Sequence, residues 1–299
     1  MIIPPYLKKG DTIGIACPAG YMEAAKAQAC IETLQQWGFQ VMVGKTLGSN
    51  SDNYFSGTDE ERLDELQAML DDESIKAILC GRGGYGVSRI IDKIDFKKFK
   101  RNPKWIIGFS DITVLHAHLN SKLKVASLHG PMAGAFNDKN EFVLSLQKAL
   151  AGKKTNYHCA VHSFDRQGNA TGELVGGNLA LLVHLIGTAS DVNTKNKLLF
   201  IEDIGEYTYN VDRMFHQLKR SGKLQNLAGL IIGGFTDMKD TVRPFGKTVY
   251  EVINDIVQEY TYPICFGFPV SHEKENYALK VGGKYELKVA KTKVSLKEL

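Results

Sequence analysis

The sequence predicts a two-domain α/β protein, and three observations carry that prediction. In the first half, short apolar runs alternate with stretches of helical period, the pattern of a parallel sheet covered by helices. Around residues 152–171 this texture gives way to a polar stretch holding Lys153, Lys154, His158, His162, Asp165, Arg166 and Gln167, which marks a crossing between domains. Near the end, the runs Tyr277 to Val281, Tyr285 to Val289 and Lys293 to Leu296 alternate in the manner of a half-exposed antiparallel sheet. A length of 299 residues suits two ordinary domains, here expected at 1–155 and 170–299.

Each element of the first domain follows from local pattern. Asp11 to Gly20 reads as a strand running into a Gly/Pro turn, Met22 to Trp37 as a helix, and Phe39 to Val43 as a second strand. Glu60 to Asp71 is helical, with Leu63, Leu66 and Leu70 on one face, and Ile75 to Cys80 is a buried strand. The turn Gly81-Arg82-Gly83-Gly84-Tyr85-Gly86 then precedes a short helix around Val87 to Ile91. Trp105 to Ile107 ends a strand buried on both faces; Gly108 permits a sharp turn, and Asp111 to Leu119 resumes helical spacing. Lys124 to Pro131 gives another strand end with a His-Gly-Pro turn, and Phe142 to Ala151 closes the domain as a helix.

In the second domain, Gly172 to Asn178 precedes a very apolar helix, Leu179 to Ile186. Lys197 to Ile201 is a buried strand ending in Glu202-Asp203-Ile204-Gly205-Glu206, and an amphipathic helix spans Val211 to Ser221. Leu227 to Gly234 is a strand ending in paired glycines, Thr248 to Glu259 is helical, and Ile264 to Phe268 is a short strand before the three alternating runs.

Composition excludes several classes. Apolar content of 43% and charged content of 23% are those of a globular protein, and no segment approaches the roughly 20 apolar residues of a membrane span. The opening residues 1–10 lack a charged region followed by an apolar core, so no secretory signal and a cytoplasmic location are expected. A net charge of +4 is spread along the chain, which gives no reason to expect nucleic acid as partner. Five cysteines without CxxC spacing indicate neither a disulfide framework nor a zinc site.

The candidate chemistry sits at strand ends. Ser110 falls at a strand-to-helix junction, where first-turn N–H groups lack intrahelical partners and can face an anion forming beside the serine oxygen. A Ser-Asp pair is equally a common helix cap. Gly108-Phe109-Ser110-Asp111-Ile112 is similar to the nucleophile elbow of hydrolases, with isoleucine where their second glycine stands. The glycine turn is open to three readings: a phosphate cradle, though without a Walker lysine; a tight turn alone; or a source of a backbone N–H aimed at the same point as Ser110. His129 is a base by residue type or a turn anchor. Glu202 ends a buried strand, where an unpaired charge costs several kcal/mol, so it needs a partner. His272 lies in a loop, and an imidazole held by a carboxylate is the usual general base for a serine.

Taken together, the segments DTIGIACPAG, GRGGYG, GFSDIT, LHGP, GELVGGNLALL, LFIEDIGE with YNVDRMFHQL, LIIGGF, and FPVSHEKEN with LKVGG resemble the LD-carboxypeptidases of the S66 serine peptidases, which also include the microcin C7 immunity hydrolases. The resemblance implies a Rossmann-like N-terminal domain with a parallel sheet, a C-terminal α+β domain with a partly barrel-like sheet, and a homodimer. It also implies that Ser110 is the nucleophile, His272 the general base and acid, and Glu202 the carboxylate that orients the imidazole. The backbone N–H groups of Gly84 and Asp111 would form the oxyanion hole, and Arg82, Gly83 and Glu206 would contact substrate. The implied substrate is a murein tetrapeptide that loses its terminal D-alanine, with no metal or cofactor. The immunity branch instead cleaves a peptidyl-adenylate, for which Tyr85 and Phe136 offer rings to stack on adenine. A rival of another class is a non-hydrolytic protein that binds phosphate at its glycine turns. Two departures from the family pattern are visible: Ser271 stands where glycine usually precedes the histidine, and Lys280 replaces a more common proline.

Overall fold

A computed structural model describes residues 1–138 and 140–299. The chain forms two compact units, Met1–Lys153 with Tyr277–Val281, and Lys154–Asn276 with Gly282–Leu299.

In the first unit, β1 (Thr12–Ala16), β2 (Gln40–Val43), β3 (Ile75–Cys80), β4 (Trp105–Gly108) and β5 (Ser127–His129) are parallel. Between them run α1 (Gln28–Gln36), α2 (Asp59–Asp71), α3 (Val87–Ile90), α4 (Lys97–Arg101) and α5 (Thr113–His118), and α6 (Glu141–Leu150) follows. A sixth strand, Leu279–Val281, is β11 by its place in the chain and pairs antiparallel with β5. The order β11-β5-β4-β3-β1-β2 changes direction between β1 and β3, and the turns leaving those two strands meet at their carboxyl ends, where Gly20 N–H donates to the Gly83 carbonyl at 3.1 Å. Apolar side chains on both faces fix the sheet: Ile13, Ile15, Ala77, Leu79, Ile107 and Leu128 on one and Ala16, Ile78, Cys80 and Ile106 on the other are fully or almost fully buried.

Three expectations for this unit change. The helix expected from Met22 begins as a 3-10 turn, Ala24–Ala27, because the Met22 carbonyl accepts from Gly48 N–H at 2.9 Å and is lost to the helical ladder. The helix expected from Asp111 opens likewise with a 3-10 turn, Ser110–Ile112. Tyr277 to Val281, expected beside the other alternating runs, joins the first sheet instead. Its Leu-Lys-Val alternation mimics a half-exposed strand, yet Lys280 is only 2% exposed. Its ammonium lies 4.9 Å from the Tyr6 ring centroid and 5.8 Å from that of Trp105, and donates to the Tyr6 hydroxyl at 3.1 Å.

The second unit contains β6 (Asn156–Cys159), β7 (Gly168–Asn178), α7 (Leu179–His184), β8 (Leu198–Ile204), α8 (Thr208–Arg220), β9 (Gly229–Thr236), α9 (Val249–Val257) and β10 (Ile264–Cys265), then β12 (Lys284–Val289) and β13 (Val294–Glu298). They form one sheet, β10-β9-β8-β7-β12-β13-β6, parallel from β10 to β7 and antiparallel from β7 to β6. The long β7 joins the two regimes: Gly168 to Glu173 pair with β12, and Leu174 to Asn178 with β8. An isolated bridge between Arg166 and Ile264 brings the chain ahead of β7 back to the β10 edge, so the sheet curves toward closure. Residues 152–171, polar in sequence, thus hold β6 and the start of β7. An antiparallel strand with one wet face reads as polar, and here Tyr157 supplies the buried side. The strand expected from Ile264 to Phe268 is confined to Ile264–Cys265. Among the described residues, no helix is long and apolar enough to cross a membrane.

Candidate active site

The serine turn is built from backbone. Because β3, β4 and β5 are neighbours, the turns that leave them end side by side. Ser110 has φ of 61°, a left-handed conformation that costs a non-glycine residue about 1–2 kcal/mol. Ile112 fits in this elbow because Gly108 is bare: a Cβ there would meet Ile112 Cγ1 at 2.8 Å. Gly83 faces the serine directly, since an added Cβ would stand 2.9 Å from Ser110 Cβ, 3.1 Å from its Oγ and 3.4 Å from Asp111 N. The Gly83 carbonyl accepts from Gly20 N–H at 3.1 Å, so in a trans peptide the N–H of Gly84 points away from Gly20.

The neighbouring side chains fall into distinct roles. The Asp111 carboxylate is fully buried and accepts from Val87 N–H at 2.9 Å. Burial raises its pKa to about 6, opposed by that hydrogen bond and by Arg62. Arg82 is exposed and its Nη1 donates to the Tyr21 carbonyl at 2.9 Å, so it braces the turn after β1. His129 is fully buried and packs against the Phe109 ring, with centroids 5.7 Å apart. Its neighbour His116 joins Ser127 Oγ and the Gly108 carbonyl, each at 2.8 Å, and burial lowers its pKa to about 4. Phe136 is 1% exposed and packs on Trp37, which removes it as a stacking surface for adenine. Tyr85 is 47% exposed.

The second unit brings Glu202 and His272 together by side chains. Glu202 stands in β8 opposite Asn178, where the β8–β9 register shifts between Ile201 and Asp203. Loop 267–276 runs against Gly233 and Gly234 of β9: Gly234 N–H donates to the Val270 carbonyl at 2.9 Å, and side chains at either glycine would collide with Val270 or Ser271. This seating carries His272 to Glu202, with Nδ1 to Oε2 at 2.6 Å. The Glu202 side chain is fully buried and that of His272 is 12% exposed. A short bond to a dry carboxylate fixes the ring orientation and turns Nε2 away from the glutamate. Ser271 closes the loop, donating to the Glu275 carbonyl and accepting from Glu273 N–H, each at 3.0 Å. Glu206 accepts from Asn210 Nδ2 at 2.9 Å at the start of α8.

Asp203 and Asn178 support this pair and were not singled out in the sequence. Asp203 accepts from Asn178 Nδ2 at 2.7 Å and from Ala180 N–H at 3.0 Å, which locks the β7–α7 turn beside Glu202. Burial, with the Glu202 charge adding to it, raises the Asp203 pKa to about 7. The legible signals were a Glu-Asp pair after an apolar run and an asparagine before a helix. Among the described residues, no group of three or more His, Cys, Asp or Glu side chains could hold a metal ion.

The chain matches the LD-carboxypeptidase N-terminal domain over residues 13–130 and the LD-carboxypeptidase C-terminal domain over residues 171–287. It is 36% identical to a probable murein peptide carboxypeptidase of Bacillus subtilis, over 96% of this chain and 92% of that one. A crystal structure of muramoyltetrapeptide carboxypeptidase from Oxalobacter formigenes superposes with a TM-score of 0.86 at 28% identity, covering 96% of this chain and 98% of that chain. The microcin C7 self-immunity protein of Escherichia coli is more distant, at 26% identity over 98% of this chain and 94% of its own. Its structure with aspartyl sulfamoyl adenosine gives a TM-score of 0.87 at 25% identity, covering 100% of this chain and 99% of that one.

Proposed function

Because the chain belongs to the LD-carboxypeptidase family, we propose that it is a serine carboxypeptidase releasing the terminal D-alanine of a murein tetrapeptide. The observation that carries this reading is the 2.6 Å bond between His272 and a Glu202 side chain of zero exposure. A buried carboxylate on one imidazole nitrogen leaves the other to exchange protons with a serine and a leaving amine.

In this mechanism Ser110 Oγ attacks the carbonyl carbon of the L-configured residue and passes its proton to His272 Nε2. The N–H groups of Gly84 and Asp111 hold the oxyanion that forms. Collapse of the intermediate breaks the C–N bond, and His272 returns the proton to the departing amine of D-alanine. Water then attacks the ester with His272 as base, freeing the tripeptide and Ser110. Glu202 accepts from His272 Nδ1 and keeps the ring in place. Arg82, Gly83 and Glu206 contact the peptide. The setting is recycling of cell-wall peptides in the cytoplasm, by a homodimer.

Incubation with murein tetrapeptide, following free D-alanine, tests the proposal. The wild type releases D-alanine, and Ser110→Ala loses about three orders of magnitude or more. Residual activity above about a few per cent in Ser110→Ala rejects the nucleophile assignment, since triad knockouts fall far below that level. A peptidyl-adenylate is the second substrate to offer, because the exposed Tyr85 ring beside Gly84 suits a planar base. Cleavage of the adenylate with the tetrapeptide untouched favours the immunity branch.

A further inference from the structure

Arg62 is a buried cation whose place in α2 is not explained by the helix that carries it. It is 1% exposed, and its Nε is buried with no hydrogen-bond partner among the described residues. A buried ion paired within the fold gains little over a well-packed apolar side chain. Helix α2 does not need it as a cap, since Thr58 and Glu61 already form a reciprocal capping box.

What Arg62 holds is backbone. Its Nη1 donates to the Pro18 carbonyl at 2.6 Å and to the Gly86 carbonyl at 3.2 Å, while Nη2 binds Asp59. The next atoms along the chain from the Gly86 carbonyl are the N–H of Val87, which donates to the Asp111 carboxylate at 2.9 Å. A single peptide unit is therefore gripped at its oxygen by a buried cation and at its N–H by a buried anion. Gly86 must be bare, since a Cβ there would stand 2.8 Å from Arg62 Nη1 and 3.0 Å from Ala19 Cα.

We propose that Arg62 and the Asp111 carboxylate clamp the Gly86–Val87 peptide and thereby set the distance between the glycine turn and the serine turn. Asp111 then has two duties: its side chain fixes the turn that contains Gly84, and its own N–H lies beside Ser110. Arg62 touches no reacting atom and is a positioning residue. The kinetic test rests on the hydrolytic reading above, because misplaced oxyanion donors weaken only the transition state.

The experiment compares Arg62→Gln, Arg62→Lys and Asp111→Asn with wild type by D-alanine release, thermal unfolding and the amide NMR signals of Gly84 and Val87. Arg62→Gln is expected to lower kcat about 30-fold with KM within about threefold, and Arg62→Lys to recover part of that loss. Asp111→Asn keeps an oxygen facing Val87, so its kcat falls about tenfold or less. A folded Arg62→Gln with kcat within about twofold of wild type, or a loss lying wholly in KM, overturns the clamp. If Arg62→Gln does not fold, undiminished kcat in both other variants overturns it equally. Wild type that releases no D-alanine refutes the hydrolytic reading alone. The clamp is then judged by the amide signals: a shift of both Gly84 and Val87 in Arg62→Lys supports it, and an unmoved Gly84 contradicts it.

Discussion

The serine turn of the first unit and the histidine–glutamate pair of the second are built in opposite ways. Around Ser110 the work is done by backbone: a left-handed serine, bare glycines at 83 and 108, and a clamped peptide at Gly86–Val87. Around His272 it is done by side chains, through a buried carboxylate, a ring nitrogen at 2.6 Å and a supporting aspartate. The difference teaches where each half is vulnerable. The first fails when an atom is added, and the second when a charge is removed.

The largest expected effect removes charge. Glu202→Gln keeps the size of the side chain but abolishes the anion that orients and stabilises the ring, so kcat should fall about 10³ to 10⁴-fold with little change in KM. Retention of more than about a tenth of the activity would mean that the pair is a structural salt bridge. Adding an atom comes next. Gly83→Ala places a methyl within 3.1 Å of Ser110 Oγ, and should cost about 10²-fold in kcat with about 1–3 kcal/mol of stability. Wild-type kinetics in that variant would contradict the close approach.

A third prediction concerns pH. Asp203 has its pKa raised from 3.8 to about 7, chiefly by burial and then by the Glu202 charge. A carboxyl whose folded value is raised contributes stability that is fully present below pH 3.8 and is lost as pH rises through about 7. The loss is at most roughly 4 kcal/mol for a shift of about three units. Asp203→Asn removes that dependence, so urea unfolding at pH 4.5 and 7.5 should show wild type losing stability relative to the variant as pH rises. A constant difference across the range would rule out this titration. The smallest effect is at Ser271, whose two loop hydrogen bonds make Ser271→Gly cost about 0.5–1.5 kcal/mol while D-alanine release stays within about threefold.

These two regions were unequally legible in the sequence. The serine turn could be read because its signals are local: an apolar run, a glycine, then Ser-Asp at a helix start. Glu202 announced itself as a charge at the end of an apolar strand, but its partner lies 70 residues away, and only the seating of loop 267–276 on Gly233 and Gly234 unites them. Arg62 was nearly silent. Within Asp-Glu-Glu-Arg-Leu-Asp it looks like one more solvated charge on a helix, and only its place four and seven residues before Leu66 and Met69 hints at the buried face. Lys280 misled for the same reason, since a lysine between two apolar residues implies a wet face, and aromatic rings from Tyr6 and Trp105 shelter it instead. The parallel alternation of the first unit was readable from period alone, whereas β6 and the start of β7 were hidden in a polar stretch and the return of β11 to the first sheet depended on those rings.

We propose that a hydroxyl built by backbone and an imidazole built by side chains act as one catalytic unit. A double-variant cycle on D-alanine release tests it most directly, using Ser110→Ala, His272→Ala and both together. Groups that act as a unit are non-additive, so the double variant should be no slower than either single one, within about threefold. Losses that multiply would show two independent contributions and contradict the account.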